Sequence, residues 1–243
     1  MGALANLDGM GQLSKRLTAV QGRIERACRD AGRDPGEVRL MAVTKTHPVE
    51  VLEEAYDAGL RLFGENRVQE AAGKAETIGD RPGLRWAVIG HLQTNKAKQA
   101  LELADELHTL DSLRLAETLD RRLQEQGRGL DVFVQVNSSG EESKSGLDPA
   151  DVEQFVLDLR PFTALRVRGL MTLAVFSDDE QAVAACFTRM QELQARLRQN
   201  DAAAGSYEEL SMGMSGDFEL AIAHGATTVR VGQGLFGDRP PAS

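Results

Sequence analysis

Eight short runs, most of them rich in apolar residues, alternate with segments of helical periodicity along this 243-residue chain, and that alternation limits its fold more than any other feature. The runs are VRLMAVTK (38–45), LRLFGEN (60–66), LRWAVIG (84–90), LHTLD (107–111), LDVFVQVN (130–137), VRGLMTL (167–173), YEELS (207–211) and TTVRVG (227–232). They lack helical spacing and are bounded by turn residues, so they read as buried parallel strands. Between them, apolar residues recur every three or four positions, as in Val49, Leu52 and Tyr56, or Val183, Phe187, Met190, Leu193 and Leu197. A further helix over about 8–32 carries Leu13, Leu17, Val20, Ile24 and Ala27 on one stripe. Gly59 and Gly127 are placed to close two helices. Asp148, with Pro149 at the first position, is expected to open the helix that buries Val152, Phe155, Val156 and Leu159.

Eight such units in about 200 residues fit one closed (β/α)8 barrel of the TIM type with an extra N-terminal helix. An open doubly wound sheet is the alternative, and it is expected to carry G-x-G-x-x-G after its first strand, where this chain has TKTHP (44–48). No proline- or serine-rich spacer divides the chain. A single α/β domain over 1–243 is therefore expected, with its barrel at about 38–239.

The net charge of -9 argues against a nucleic-acid surface, which needs a basic face. No stretch approaches the length of a membrane span, and MGALANLDGMGQLSKRL lacks the apolar core of a secretory signal, so a cytoplasmic protein is expected. Cys28 and Cys186 fall in helical patterns and show no metal spacing, and they read as packing residues.

In a barrel the carboxyl ends of the strands converge on one face, where the chemistry sits. Lys45 stands at the end of the first strand; Glu65, Asn66 and Arg67 follow the second, and His91, Gln93 and Asn95 the third. Asn137 ends the fifth and Met171 lies late in the sixth. SMGMSGD (211–217) and VGQGLFG (231–237) put glycines and small hydroxyl residues at the two loops where barrels commonly hold phosphate. Simple turn chemistry explains either loop alone, and a rim lysine paired with a carboxylate explains Lys45 alone. Together they describe a ligand with an aldehyde at one end and a phosphate at the other. Pyridoxal phosphate has that form, and a Schiff-base aldolase acting on a sugar phosphate uses the same two features.

TK at the end of the first strand, FGENRVQE (63–70), IGHLQTNK (89–96), VNSSGEESKSG (136–146), RGLMT (168–172), LSMGMSGD (210–217) and VRVGQGLFG (229–237) together resemble the YggS/PROSC family of pyridoxal phosphate homeostasis proteins. The resemblance runs from about Val38 to Arg239. It implies a barrel similar to the N-terminal domain of alanine racemase, with pyridoxal 5′-phosphate covalently held as a Schiff base on Lys45. It also implies that Ser211, Met212, Gly213, Gly232 and Gln233 hold the phosphate, that Arg230 faces the pyridine nitrogen, and that Asn66 and Met171 line the pocket. Gln233 departs from the threonine or serine usual in the family, so a hydroxyl contact is replaced while the backbone N–H remains.

An arginine can only donate to the ring nitrogen, which leaves the ring unprotonated and a poor electron sink. Transamination is thereby disfavoured, and racemisation needs a second acid/base opposite Lys45. Racemases of this barrel type resemble two-domain dimers that supply a tyrosine from the second domain. No second domain is expected here, and Tyr56, Tyr207, His91 and His224 are weak substitutes. The expectation is a monomeric carrier in cofactor homeostasis, with apoenzymes as possible recipients and no catalytic or metal-binding residues, set against an amino-acid racemase as the alternative. Lys96 and Lys144 lie on the active face as surface lysines or as helpers in passing the cofactor on. Glu65 and Glu70 read as ion-pair partners of Arg67 or Lys74, with a role as a base the alternative for Glu65.

Overall fold

In the computed structural model, which describes residues 2–141, 143–200 and 203–237, every one of the eight runs is a strand, and each is followed by a helix. Parallel neighbours need crossover connections, and the helical segments supply them. The units run β1 (Arg39–Val43) and α2 (Val49–Asp57), β2 (Leu62–Glu65) and α3 (Val68–Ile78), β3 (Arg85–Val88) and α4 (Ala97–Leu103), and β4 (Glu106–Leu110) and α5 (Leu113–Gln126). They continue with β5 (Leu130–Gln135) and α6 (Val152–Asp158), β6 (Leu165–Met171) and α7 (Glu180–Arg198), β7 (Glu209–Ser211) and α8 (Phe218–Ala223), and β8 (Thr228–Val231) and α9 (Gln233–Phe236). The strands pair in sequence order, all parallel, and the sheet closes where Arg39 to Ala42 of β1 pair with Thr228 to Val231 of β8. This is the (β/α)8 barrel.

The extra helix α1 spans Gly2–Asp30, beginning before the expected start near residue 8 and ending before 32. Its stripe of Leu13, Leu17, Val20, Ile24 and Ala27 is buried, and the helix lies against α8 and α9. Outward-facing strand residues such as Phe63, Val88, Val132, Val134 and Val229 join the inner faces of the helices in the main apolar core. Gly127, in the left-handed region at φ 62°, ends α5 as its glycine spacing implies.

The start of α6 also differs from expectation. Asp148 does not open α6; its Oδ1 accepts from Ala150 N at 2.8 Å and its carbonyl from Asp151 N at 2.9 Å, and the helix begins at Val152. A short acceptor side chain satisfied by its own backbone two residues on makes a turn rather than a helix cap. Glu142, Arg239 and the proline-bearing tail, all within the expected domain, lie outside the described residues.

The barrel interior is divided. On one side Met41 of β1, Leu62 of β2 and Ala87 of β3, with Ile89 above, form a small apolar cluster of their own. On the other side Glu106 and His108 of β4, Ser211 of β7 and Arg230 of β8 bring buried polar groups inside. Bulky branched apolar residues normally fill such an interior, so the buried polar half is a departure from the usual packing.

Candidate cofactor-binding site

Lys45 leaves the barrel two residues after β1, between a residue pinned by its side chain and one pinned by its backbone. Thr44 is fully buried; its Oγ1 donates to Glu65 Oε1 at 2.6 Å and its carbonyl accepts from Lys74 Nζ at 2.8 Å. Thr46 sits in the left-handed region at φ 68°, and its N–H donates to Glu70 Oε1 at 2.7 Å. Lys74 Nζ ties both acids together, at 2.7 Å from Glu65 and 2.6 Å from Glu70. Left-handed backbone at a β-branched residue costs on the order of 1–3 kcal/mol and persists only where surroundings enforce it. The Glu65–Lys74–Glu70 cluster supplies that enforcement and so fixes the turn that carries Lys45. Burial raises the Glu65 carboxyl, with the bonds from Lys74 and Thr44 offsetting part of the rise. At the better hydrated Glu70, burial is outweighed by Lys74 and the Thr46 N–H, which lower it.

Lys45 opens onto a cavity of about 520 Å³ at the C-terminal mouth of the barrel. It is lined by Lys45, Asn66 and Ile89, by Met214, Ser215, Gly216 and Asp217 after β7, and by Arg230, Gly232 and Gln233 of β8 and its loop, which lie beside Lys45 because β8 pairs with β1. Leu173, Val175 and Phe176 form the outer rim, where Phe176 is 97% exposed. A smaller cleft of about 320 Å³ shares Lys45, Gly232 and Gln233 and reaches His47 and Gly237. Asn66 is held by close approach to Gly90, where a Cβ would lie 2.1 Å from the Asn66 carbonyl oxygen.

The two loops are built to present backbone donors. Asp217 Oδ1 accepts from Met214 N, and Ser215 Oγ accepts from Gly234 N at 3.2 Å, linking the loop after β7 to the one after β8. The N–H groups of Ser215 and Gly216 have no acceptor among the described hydrogen bonds. Burial raises the Asp217 carboxyl despite the Met214 N–H and nearby Arg230.

Of the residues singled out in the sequence, Lys45, Asn66, Arg230, Gly232 and Gln233 meet at this cavity. Met171, Ser211, Met212 and Gly213 stand behind its wall. Met171 is fully buried, Met212 packs into the main core, and Gly213 uses its carbonyl to accept from Arg230 N at 2.9 Å. Ser211 turns its hydroxyl inward, 2.8 Å from Arg230 Nη1 and 2.9 Å from His108 Nδ1.

Arg230 is buried; its Nη2 donates to the Thr172 carbonyl at 2.6 Å, and burial, partly offset by Asp217, lowers its pKa to about 10. It therefore stays protonated at neutral pH. His108, which is not among the sequence candidates, is fully buried, stacked on Phe133 at 4.0 Å between ring centroids, and 2.8 Å from Glu106 Oε2. Its signal is the spacing E-x-H in a strand of otherwise apolar and small residues, which puts both side chains on one face.

The remaining candidates serve elsewhere. His91 is exposed at the rim, 3.9 Å from Asp111, and His224 bonds the Leu220 carbonyl at the end of α8. Tyr56 donates to the Pro82 carbonyl, and Tyr207 is buried. Lys96 lies in the short turn before α4, while Lys144 pairs with Glu141 and donates to the Ala174 carbonyl at 2.9 Å. Glu65 and Glu70 pair with Lys74. Among the described residues there is no cluster of potential metal ligands and no helix long and apolar enough to cross a membrane.

Residues 16–240 match the family described as alanine racemase, N-terminal domain. The chain is 41% identical over 230 residues to the pyridoxal phosphate homeostasis protein of Pseudomonas aeruginosa, covering 95% of this chain and 97% of that one. Among solved structures it is similar to PipY of Synechococcus elongatus PCC7942 with PLP bound, at 40% identity and TM-score 0.82, covering 93% of this chain and all of that one. Alanine racemase of Clostridium difficile 630 shares the fold at 15% identity and TM-score 0.74, matching 96% of this chain to 58% of the racemase.

Proposed function

Because this chain belongs to the alanine racemase N-terminal domain family, we propose that it binds pyridoxal 5′-phosphate in the Lys45 cavity and works in homeostasis of that cofactor. It holds the cofactor as a Schiff base on Lys45 and delivers it to apoenzymes, with no robust turnover of its own, as a monomeric single-domain protein of the cytoplasm. The observation that carries this reading is the convergence of Lys45, buried Arg230 and the donor-bearing loops after β7 and β8 on one cavity of ligand size.

The chain's own groups fit such a ligand. Lys45 supplies the amine, held in place by its clamped turn. The Ser215 and Gly216 N–H groups, with the backbone around Gly232 and Gln233, suit a phosphate in the same cavity. Arg230 has donors only, so it orients a ring nitrogen that carries no proton. When bound, the cofactor supplies a reactive aldehyde; the protein's part is to hold it, align it and keep bulk water from its ring.

The test is the near-visible spectrum of the purified protein after incubation with pyridoxal phosphate, followed by borohydride reduction and peptide mass mapping. A band that disappears on reduction and a pyridoxyl adduct on Lys45, both lost in Lys45→Ala, are expected. A protein that stays colourless and unmodified refutes the reading, and amino-acid racemisation above that of the free cofactor replaces the carrier with an enzyme.

A further inference from the structure

Arg230 does not stand alone beneath the cavity. A chain of buried hydrogen bonds leads from it through Ser211 and His108 to Glu106, and on to Arg39 at the opposite end of the barrel. We propose that Glu106 and His108 are positioning residues for Arg230, ordering through Ser211 one directed chain that fixes its guanidinium as a donor to the pyridine ring of the bound cofactor. The ligand named here rests on the function proposed above.

The direction of the chain follows from which atoms can donate. Glu106 is buried, and it takes two bonds from Arg39, at 2.7 and 3.3 Å, besides the 2.8 Å contact with His108 Nε2. Burial alone raises its carboxyl, but the hydrogen bonds from His108 and Arg39 and the charge of Arg39 hold it below the ordinary carboxylate range, so it is an ionised acceptor. His108 Nε2 must then carry the hydrogen. Complete burial, and the cations Arg230 and Arg39 at either end, favour the neutral ring over Glu106's pull toward the charged one. In that neutral tautomer Nδ1 holds a lone pair, and the Ser211 hydroxyl donates to it. The serine oxygen keeps its lone pairs for Arg230 Nη1, which can only donate. Every bond therefore donates in the same sense, from Arg230 to Glu106. An imidazolium breaks this pattern, since His108 and Arg230 would both donate to Ser211 and leave the serine proton without an acceptor in the chain.

Neither Glu106 nor His108 lines the upper cavity. Their effect on a ligand passes through Arg230, whose Nη2 is also tied to the Thr172 carbonyl. With Nη1 and Nη2 both anchored, the plane of the guanidinium is set, and its remaining N–H groups meet a ring at a fixed angle. Asp217 is the other acid near Arg230, but it belongs to the wall loop and not to this chain.

Two measurements decide the matter. The first needs no cofactor: a long-range proton–nitrogen correlation spectrum of the histidine-labelled protein at pH 7. His108 is identified by its absence in His108→Gln or, if that variant fails to fold, by its displacement in Ser211→Ala. A neutral ring protonated at Nε2 is expected, and an imidazolium or an Nδ1–H ring overturns the chain. The second compares binding of pyridoxal phosphate with that of its 1-deaza analogue, in which a C–H replaces the ring nitrogen. Glu106→Gln is expected to weaken pyridoxal phosphate about tenfold, the scale of a hydrogen bond losing its charge assistance, and the deaza analogue by no more than about twofold. Equal weakening of both ligands, or of neither, overturns the positioning role. Ser211→Ala breaks the chain one link nearer Arg230 and must show the same pattern if Glu106→Gln does not fold. Failure of the wild-type protein to bind pyridoxal phosphate defeats the functional reading, whereas a wrong tautomer defeats the chain alone.

Discussion

Replacing Glu106 with glutamine keeps the shape of the side chain and removes its charge, which makes it a direct measure of what that carboxylate does for stability. Its oxygens face Arg39 at 2.7 and 3.3 Å, Arg85 at 3.2 Å and His108 at 2.8 Å, with the side chain 1% exposed. A fall in its pKa from the ordinary 4.5 to about 2 corresponds to about 3 kcal/mol at about 1.4 kcal/mol per tenfold. A depressed carboxyl stabilises the fold fully above its unfolded pKa and loses that contribution as pH falls through the folded one. The stability difference between wild type and Glu106→Gln is therefore expected to be about 3 kcal/mol near pH 7, to shrink by about 1.4 kcal/mol at pH 3.5, and to keep shrinking toward pH 2. Using the difference cancels the other acids, including Glu65, Asp111 and Asp217, whose raised pKa values act in the opposite sense. Urea unfolding at stepped pH, followed by fluorescence of the single tryptophan, Trp86, reads it; that residue is 7% exposed and sits in β3. A difference that stays constant from pH 7 to 3.5 refutes the reasoning, because the loss would then come from shape rather than charge.

Further outcomes can be checked independently. Gly90→Ala drives a Cβ to within 2.1 Å of the Asn66 backbone oxygen, so it is expected to cost about 1–3 kcal/mol in urea unfolding. By moving Asn66, it should also weaken pyridoxal phosphate about tenfold; unchanged stability and affinity contradict the packing described here. Gln233→Ala keeps the backbone N–H at the cavity and is expected to change pyridoxal phosphate affinity less than about threefold, the span of a weak neutral contact. A larger loss by absorbance titration assigns the binding to the side chain. Cys28 and Cys186 are both buried, and burial pushes the Cys28 thiol up; a thiol reagent at pH 8 should leave the native protein unmodified and label both cysteines after denaturation. Rapid labelling of the native form contradicts that burial.

The elements were legible because each signal is local. A parallel strand covered on both faces is a near-continuous apolar run, as in LDVFVQVN, and all eight runs are strands, including the more polar LHTLD and YEELS. The same property hides orientation: in such a run, period two does not distinguish the barrel interior from the helix layer. The resemblance places Ser211 and Met212 together at the phosphate, whereas the hydroxyl turns into the barrel and the methionine into the main core. Asp148 misled for a related reason, since a cap and a turn use the same acceptor and differ only in where the backbone goes next.

What the sequence determined by itself is the alternation that closes a (β/α)8 barrel, and the placing of Lys45, Asn66, Arg230 and Gly232 just past or at strand ends. Strand ends are one-dimensional features, and closure brings them to one mouth whatever the details of packing. Only the tertiary structure decided which atoms meet inside. The choice of Lys74 rather than Arg67 as the partner of Glu65, and the path from Arg230 through Ser211 and His108 to Glu106, join side chains from different strands and helices. Hydrogen-bond geometry over a few ångströms selects those partners, and residues 19 and 103 positions apart become neighbours only once the barrel closes.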